Sequence, residues 1–575
     1  MYNLLIGGAA GQGIDTTAAI LEKLLKRSGY NVFTIRDFMS RIRGGHNFSL
    51  IRFGDEVIQS HSYILDGIIA LDDETVIQHN HELNENGFIL CDSKLTTTDP
   101  RAIKIDMQSI AKDLGNPRVA GSVAVGVILR LFTESLDYVN DILKTFLRED
   151  LLQINIEAVK KGYESAQSRF PRLNGNFSDS MIITGNNALS LGAITAGVRF
   201  HSAYPMSPST SIMEFLVSKG DESNIVVEQA EDEIAAINMA IGASYAGARA
   251  MTATSGGGFS LMVEALGLSG ITETPLVIVE AQRPGPVTGL PTRTEQADLK
   301  FVISASQGEF PRMVIALRNH HDAFYQTIRA FNIAEKYQIP VILLSDQYLA
   351  DASATIKPFE TDKIEIIKSA ALEGTSGGDA GDNSILSVDG DVENAGDYLR
   401  YKYTDDGISP RLIPGKSRNL VIIDSDEHDE RGWITESAEV RRNMVDKRMR
   451  KLQKLEQELL EPEFIGSDSF NILLVGWGST YGPISEAVKL LNTKDGNRYA
   501  ALVFGDIWPF PRKLLESKAG LAKRIINVEQ NSTGQLRSII REQTGIVCSD
   551  SILKYDGRQI SGEEIADQIF KEAMK

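Results

Sequence analysis

A few short stretches of this chain carry residue types that could do chemistry. In Glu228-Gln229-Ala230-Glu231-Asp232-Glu233-Ile234, acids crowd the start of an apolar helical pattern. A helix N-terminus attracts carboxylates, which accounts for some of them. Glu233 leads into an unusually smooth stripe of Ile234, Ile237, Ala240, Ile241 and Ser244. A smooth helix can lie close to another surface. A carboxyl group at its start can then lose water, which raises its pKa. Arg283 follows the apolar run Val277-Ile278-Val279 and stands just before Pro284-Gly285-Pro286. A guanidinium at a strand tip is a bidentate clamp for a carboxylate, although such an arginine also serves as a structural ion-pair partner.

Two loops accompany these residues. Thr252-Ala253-Thr254-Ser255-Gly256-Gly257-Gly258 ends a strand pattern in a glycine turn. Ligands of open parallel sheets sit at the carboxyl ends of strands, which makes Ser255 and Gly256 candidate contacts. Tyr204-Pro205-Met206-Ser207-Pro208-Ser209-Thr210 is stiffened by its prolines and presents Ser207. It reads equally as a helix-start turn in which Ser209 or Thr210 is the cap. A third loop, Gly7-Gly8-Ala9-Ala10-Gly11-Gln12-Gly13, lies between a strand and a helix pattern. That geometry aims backbone N–H groups at an anion. Gly8, Gly11, Gln12 and Gly13 match neither the dinucleotide fingerprint nor a Walker loop. Arg41 and Arg43, before Gly44-Gly45-His46, add cations that could grip a phosphate or carboxylate or simply face water.

These residues must be held by α/β domains. The chain has 575 residues, enough for about three to five domains. An apolar run, a helix pattern and further apolar runs alternate from Met1 to about residue 175, predicting a parallel sheet with helices on both faces. Glu164 to Ser180 reads as a linker. A second α/β block spans residues 181–415, with strands at 224–227, 250–254, 275–279 and 340–344 and a helix at 233–245. Its 351–416 portion is rich in Gly, Asp and Ser and reads as an excursion. A charged helix, Glu436 to Leu460, lies in a connector at 417–465. Residues 468–575 form a smaller α/β block.

Composition removes several function classes. With 59 Lys+Arg against 77 Asp+Glu the formal charge is −18, which repels nucleic acid. No uninterrupted apolar stretch of about 18 residues suggests a membrane span. The only cysteines, Cys91 and Cys548, cannot ligate a four-cysteine iron–sulfur cluster, and they form no disulfide framework, in keeping with the cytoplasm.

At this level of detail the chain resembles a known family. Tyr204-Pro205-Met206-Ser207-Pro208 is similar to the Tyr-Pro-Ile-Thr-Pro signature of 2-oxoacid:ferredoxin oxidoreductases. Arg283-Pro284-Gly285-Pro286-Val287-Thr288-Gly289-Leu290-Pro291-Thr292 resembles their Arg-x-Gly-Pro-Ser-Thr-Gly-Met-Pro-Thr segment. Gly7 to Gly13 with Arg43-Gly44-Gly45 resembles the γ domain that some members fuse ahead of α. Asp426 to Glu430, Val528 to Asn531 and Gly534-Gln535-Leu536 look like further α-subunit segments. The resemblance runs in order through the chain and is nearest the 2-oxoglutarate branch.

The resemblance implies a γ domain, a pyrimidine-binding-type domain and a transketolase C-terminal-like domain. It implies a thiamine-diphosphate enzyme that oxidatively decarboxylates a 2-oxoacid, reduces ferredoxin and forms an acyl-CoA. Glu233, or Glu231 in a shifted register, would hydrogen-bond the aminopyrimidine. Ser207, where the family has Thr, would bind the keto acid end, and Arg283 its carboxylate. Tyr204, Pro205, Ser255 and Gly256 would line the cofactor. Gly8, Gly11, Gln12, Gly13 and Arg43 would serve coenzyme A or an interface. No Gly-Asp-Gly tripeptide occurs in the chain. The diphosphate site, Mg2+ and the [4Fe-4S] cluster would therefore belong to a β subunit, in an (αβ)2 assembly, with no metal ligands here. Pyruvate or a branched-chain 2-oxoacid is the alternative substrate, and a non-catalytic scaffold the alternative class. Retained Glu233 and Arg283 argue against the scaffold, and the loop spacing argues against a free-standing dinucleotide dehydrogenase.

Overall fold

The computed structural model describes residues 1–38, 45–368, 398–416, 419–496 and 498–573. The middle of the Gly/Asp-rich excursion, 369–397, and Arg43 lie outside them. The chain builds three sheets, parallel-rich and flanked by helices. The first has eight strands, in the order Ala102–Ile105, Leu83–Asp92, Leu65–Ala70, Tyr2–Ala9, His46–Gly54, Asn31–Asp37, Ser353–Ile356 and Met181–Thr184. The first four of these run parallel, as the βαβ pattern requires. The other half is antiparallel, contrary to the expected parallel sheet. The link between Asn31–Asp37 and His46–Gly54 is too short for a crossover, so those neighbours must run antiparallel. Met181–Thr184 and Ser353–Ile356 extend this sheet although they flank the second block in sequence. The expected linker 164–180 has neither helix nor strand beyond Glu164, which ends helix Glu149–Glu164, but it is packed: Phe170 stacks on Phe132 at 4.8 Å between ring centroids.

The second sheet holds the chemistry. Its order is Asp506–Trp508, Met313–Ala316, Pro340–Asp346, Leu276–Gln282, Ala250–Thr254, Phe200–Ala203 and Val226–Gln229. All neighbours are parallel except the edge strand Asp506–Trp508, contributed by the third block. The central strands are continuous apolar runs because both faces are covered. Leu276, Ile278 and Ile342 pack on one side with Ile237, Phe259 and Trp477, while Val277, Val279 and Leu343 pack on the other with Leu189, Ile212 and Phe324. The third sheet has five strands, centred on Ile472–Trp477. No helix among the described residues is long and apolar enough to cross a membrane.

Two buried polar nodes lock the blocks together. The charged helix is shorter than its sequence pattern, Ala438–Leu455, and it buries Lys447 and Lys451. Both ammonium groups lie 2.6 Å from the Glu273 carboxylate. Arg400 donates to the Glu273 carbonyl at 2.8 Å. These three cations hold the Glu273 carboxyl far below its usual range despite complete burial. The second node joins the second and third blocks through side-chain amides. Gln296 N–H donates to the Gln530 carbonyl at 2.7 Å, Gln296 Nε2 to the Trp477 carbonyl at 3.0 Å, and Asn531 Nδ2 to the Gln296 carbonyl at 3.0 Å. Gln530 Nε2 donates to Gln559 Oε1 at 2.6 Å, and Gln530 Oε1 accepts from the Ile560 N–H at 2.5 Å. All of these amide side chains are buried.

Breaking either node strands buried groups. Glu273→Gln leaves two dry ammonium groups without a counter-charge and should destabilise the fold by about 3–5 kcal/mol, read as a lowered urea midpoint. Gln530→Ala orphans the Ile560 N–H and Gln559 Oε1. It should cost about 1–3 kcal/mol for each orphaned group in the same measurement.

Candidate active site

The acid-rich turn resolves into distinct roles. Asp232 is the N-cap of helix Glu233–Tyr245, and its side chain accepts the Ala235 N–H at 2.7 Å. Capping thus explains Asp232. Glu231 is exposed, whereas Glu233 is only 4% exposed. Glu233 Oε1 has no hydrogen-bond partner among the described residues. Its carboxylate rests against the start of helix Gly256–Ile271, where a Cβ on Gly258 would lie 2.4 Å from Glu233 Oε1 and 2.1 Å from Thr254 Oγ1. Glycine at 258 is therefore the condition for this approach. Ser255 occupies the N-cap position of the same helix, yet its hydroxyl makes no cap bond and is buried without a partner. Two orphaned buried acceptors or donors beside one glycine turn suit a ligand that presents N–H and oxygen atoms.

Arg283 and Ser207 come together. Arg283 Nη1 donates to the Ser207 carbonyl at 2.7 Å. Among the described residues no carboxylate lies within ion-pair distance of Arg283, and partial burial lowers its pKa from the usual guanidinium value. A half-buried cation with no counter-charge among the described residues is suited to an anion. The Ser207 turn is fixed from below by Asn186, whose Nδ2 donates to the Pro208 carbonyl and to Ser211 Oγ, both at 2.9 Å. The next helix is Thr210–Ser223. Ser209 sits at its N-cap position but turns its hydroxyl to the Met206 carbonyl, 2.8 Å away, instead of capping. Tyr204 is partly exposed at 39%, and Pro205 is half-buried beside it.

The glycine loop forms a different edge. Gly7 and Gly8 belong to strand Tyr2–Ala9, and the turn proper is Ala10 to Gly13, with Gly11 and Gly13 at positive φ. Gln12 Oε1 accepts the Ala9 N–H at 2.8 Å, so this side chain closes its own turn. The helix that follows, Ile14–Arg27, has no side-chain cap, which leaves its first N–H groups available. Pairing of Ala9 with His46, and of Asp37 with Phe48, puts the glycine turn and the end of Asn31–Asp37 on one sheet edge. There Asp37 forms an ion pair with Arg293, and the Phe38 carbonyl accepts from Thr292 Oγ1 at 2.8 Å. The loop that begins at Arg283 therefore touches the first block immediately before residues 39–44.

Several residues at this centre were not anticipated from the sequence. Glu280 and Gln282 alternate with apolar residues at the end of Leu276–Gln282, and Asp298 and Gln296 end the long loop. Gln282 Oε1 accepts the Asp298 N–H at 3.1 Å. The available signal was the period-two polar alternation in an otherwise apolar strand.

Known proteins share the sequence and fold of this chain. Residues 191–447 match the family model "Pyruvate flavodoxin/ferredoxin oxidoreductase, thiamine diP-bdg", and residues 3–165 match "Pyruvate ferredoxin/flavodoxin oxidoreductase". A 2-oxoacid:ferredoxin oxidoreductase subunit alpha from Sulfolobus sp is 33% identical, over 99% of this chain and 96% of its own. The 2-oxoglutarate synthase subunit KorA of Methanothermobacter marburgensis is 30% identical, over 68% of this chain and 99% of its own. The solved 2-oxoglutarate:ferredoxin oxidoreductase from Magnetococcus marinus, with 2-oxoglutarate, coenzyme A and succinyl-CoA bound, superposes with a TM-score of 0.90 at 30% identity, over 99% of both chains. With its thiamine-diphosphate-binding region and its first block both matched, this chain belongs to the 2-oxoacid:ferredoxin oxidoreductase family, among the alpha subunits.

Proposed function

We propose that this chain supplies the aminopyrimidine and substrate-carboxylate side of a 2-oxoglutarate:ferredoxin oxidoreductase and works only with a β subunit. The observation that carries this reading is the buried, unpartnered Glu233 carboxylate held against Gly258. Thiamine diphosphate, when bound, supplies a nucleophilic carbon and an electron sink for a 2-oxoacid carbonyl. Glu233 accepts a hydrogen bond from its aminopyrimidine and holds a proton position there. Ser255 and Gly256 border the ring, with Tyr204 and Pro205 across the opening. Ser207 orients the keto acid end, and Arg283 clamps the carboxylate. Arg283 is the stronger for having no acid of its own among the described residues.

A partner completes the site. The buried cysteines Cys91 and Cys548 cannot ligate a cluster. In this reading β brings the diphosphate site, Mg2+ and the [4Fe-4S] cluster that reduces ferredoxin, within a cytoplasmic (αβ)2 assembly. Ile234, Met239 and Leu261 are exposed on the two helices whose N-termini frame Glu233. Covering them would remove water from the carboxylate. Coenzyme A enters as co-substrate, its anionic groups facing the edge of Gly8, Gly11, Gln12 and Gly13, and Arg43, outside the described residues, is a further candidate cation for them. The substrate choice of 2-oxoglutarate rests on the KorA relative and the Magnetococcus enzyme.

The test is turnover of the chain co-expressed anaerobically with β. Thiamine diphosphate, Mg2+ and coenzyme A are supplied, and viologen reduction is followed with a panel of 2-oxoacids. Turnover should require β and be fastest with 2-oxoglutarate. Faster pyruvate or branched-chain oxidation would reassign the substrate, and no turnover by a cluster-loaded complex would leave an assembly role. Glu233→Ala should lower kcat roughly 10²–10⁴-fold, the range for losing a proton-handling group. Arg283→Lys should raise KM about ten- to hundredfold, since one charged hydrogen bond is worth about 1.5–3 kcal/mol.

A further inference from the structure

The glycine turn that supports Glu233 has a second acid on its other side. A Cβ on Gly256 would lie 2.4 Å from Asp298 Oδ2, as one on Gly258 would lie 2.4 Å from Glu233 Oε1. Helix Gly256–Ile271 thus starts between two carboxyl groups, which both favour its N-terminus. Behind Asp298 lies Glu280, fully buried in the middle of the sheet. Glu280 is in register with Thr254 on one neighbouring strand and Leu344 on the other. No N–H or hydroxyl of the described residues reaches either of its carboxyl oxygens. Gln282, on the same face of the strand, holds the Asp298 N–H at 3.1 Å and so brings the Asp298 carboxyl up beside Glu280, and the other charged group acting on Glu280 is Asp346, from the next strand. Asp298 is in turn close to Glu295 on its own loop. Among the described residues every charged group acting on Glu280 is therefore an acid.

Two carboxylates cannot hydrogen-bond each other without a proton between them. Glu280 is the deeper of the two and has no other donor, so it keeps the proton and donates to Asp298. Burial and the neighbouring acids push the Glu280 carboxyl well up, and burial lifts Asp298 to about 6. The sign of the pH effect follows. For acids whose folded pKa is raised, stabilisation is complete below the unfolded value of about 4 and is lost as pH rises through the folded value. The protonated pair is firm, and the doubly ionised pair repels itself beneath the turn.

We propose that Glu280 and Asp298 share one proton and act as positioning residues, fixing the Ser255–Gly258 turn and through it the Glu233 carboxylate. The same pair ties in Arg283, because Gln282, which holds the Asp298 backbone, directly precedes it. This role rests on the assignment of Glu233 above.

The shared proton can be read without catalysis. Infrared difference spectra between the assembled wild-type complex and its Glu280→Gln variant, at about pH 8, should show a protonated-carboxyl carbonyl band that the variant lacks. Glu295, at about 7, and Asp346, at about 6, are mostly ionised at that pH and cancel in the difference. The positioning role is read from pH profiles and thiamine diphosphate affinity. Wild-type kcat/KM should fall on the alkaline side, and Glu280→Gln, whose amide still donates to Asp298, should lose that limb. Glu280→Leu, which cannot donate, should bind thiamine diphosphate about tenfold more weakly than Glu280→Gln at every pH. An absent band, or an alkaline limb unchanged in Glu280→Gln, overturns the proposal. A band in a complex without wild-type turnover removes the proposed function, and with it the positioning role, but leaves the shared proton standing. An absent band with normal turnover removes the pair alone.

Discussion

The loop from Arg283 to Asp298 is exposed over residues 285–291 but returns to the core at Thr294 and Gln296, where its backbone polar groups must find partners. The third block provides them. Gln296 is gripped on its backbone and side chain by Gln530, Asn531 and the Trp477 carbonyl. Glu529 holds this arrangement from behind by accepting from Trp477 Nε1 at 3.0 Å and Asn531 Nδ2 at 2.8 Å. The first block takes the same returning arm of the loop at Thr292 and Arg293. Arg283 is thus aimed by residues from all three blocks. The third block does more than assemble: it carries one wall of the loop on which the clamp stands.

The sequence exposed this organisation unevenly. The parallel strands of the second sheet were legible because burial on both faces leaves unbroken runs such as Pro340 to Leu344, and the helix Glu233–Tyr245 was legible from its period and caps. The first sheet was harder. Its antiparallel half depends on which strands meet, and Ser353–Ile356 reaches it from more than 300 residues away in sequence, beyond any local pattern. The charged helix was legible as a connector that crosses a surface or bridges domains, but its burial was not, because Lys447 and Lys451 look solvated until Glu273 is placed between them.

The site was legible in the same selective way. Ser207 and Arg283 stood out because each stands directly before a proline, and Glu233 because it is an acid leading into a smooth apolar helix. Their support did not. Asn186, Gln282 and Gln296 work through backbone contacts across sheet neighbours, and nothing in their local spacing announces this. Glu280 had a weak signal, a lone acid inside an apolar strand, and its meaning appears only when its neighbour proves to be another acid.

Glu233 and Glu280 show how one turn can use two buried carboxyls differently. Both lie against the start of the same helix, directly or through Asp298, and each lacks ordinary donors. Leaving a buried acceptor unsatisfied costs about 1–3 kcal/mol, more when it is charged, so each needs a remedy. Glu280 faces the core, where no ligand can reach, and the remedy is a retained proton. Glu233 begins a helix whose neighbouring residues Ile234 and Met239 are exposed, so its remedy can come from outside. A donor arriving there is bound because the protein has left the acceptor waiting. The glycines at 256 and 258 make both arrangements possible, since a side chain at either would push one carboxyl out of place and loosen the turn on which the other depends.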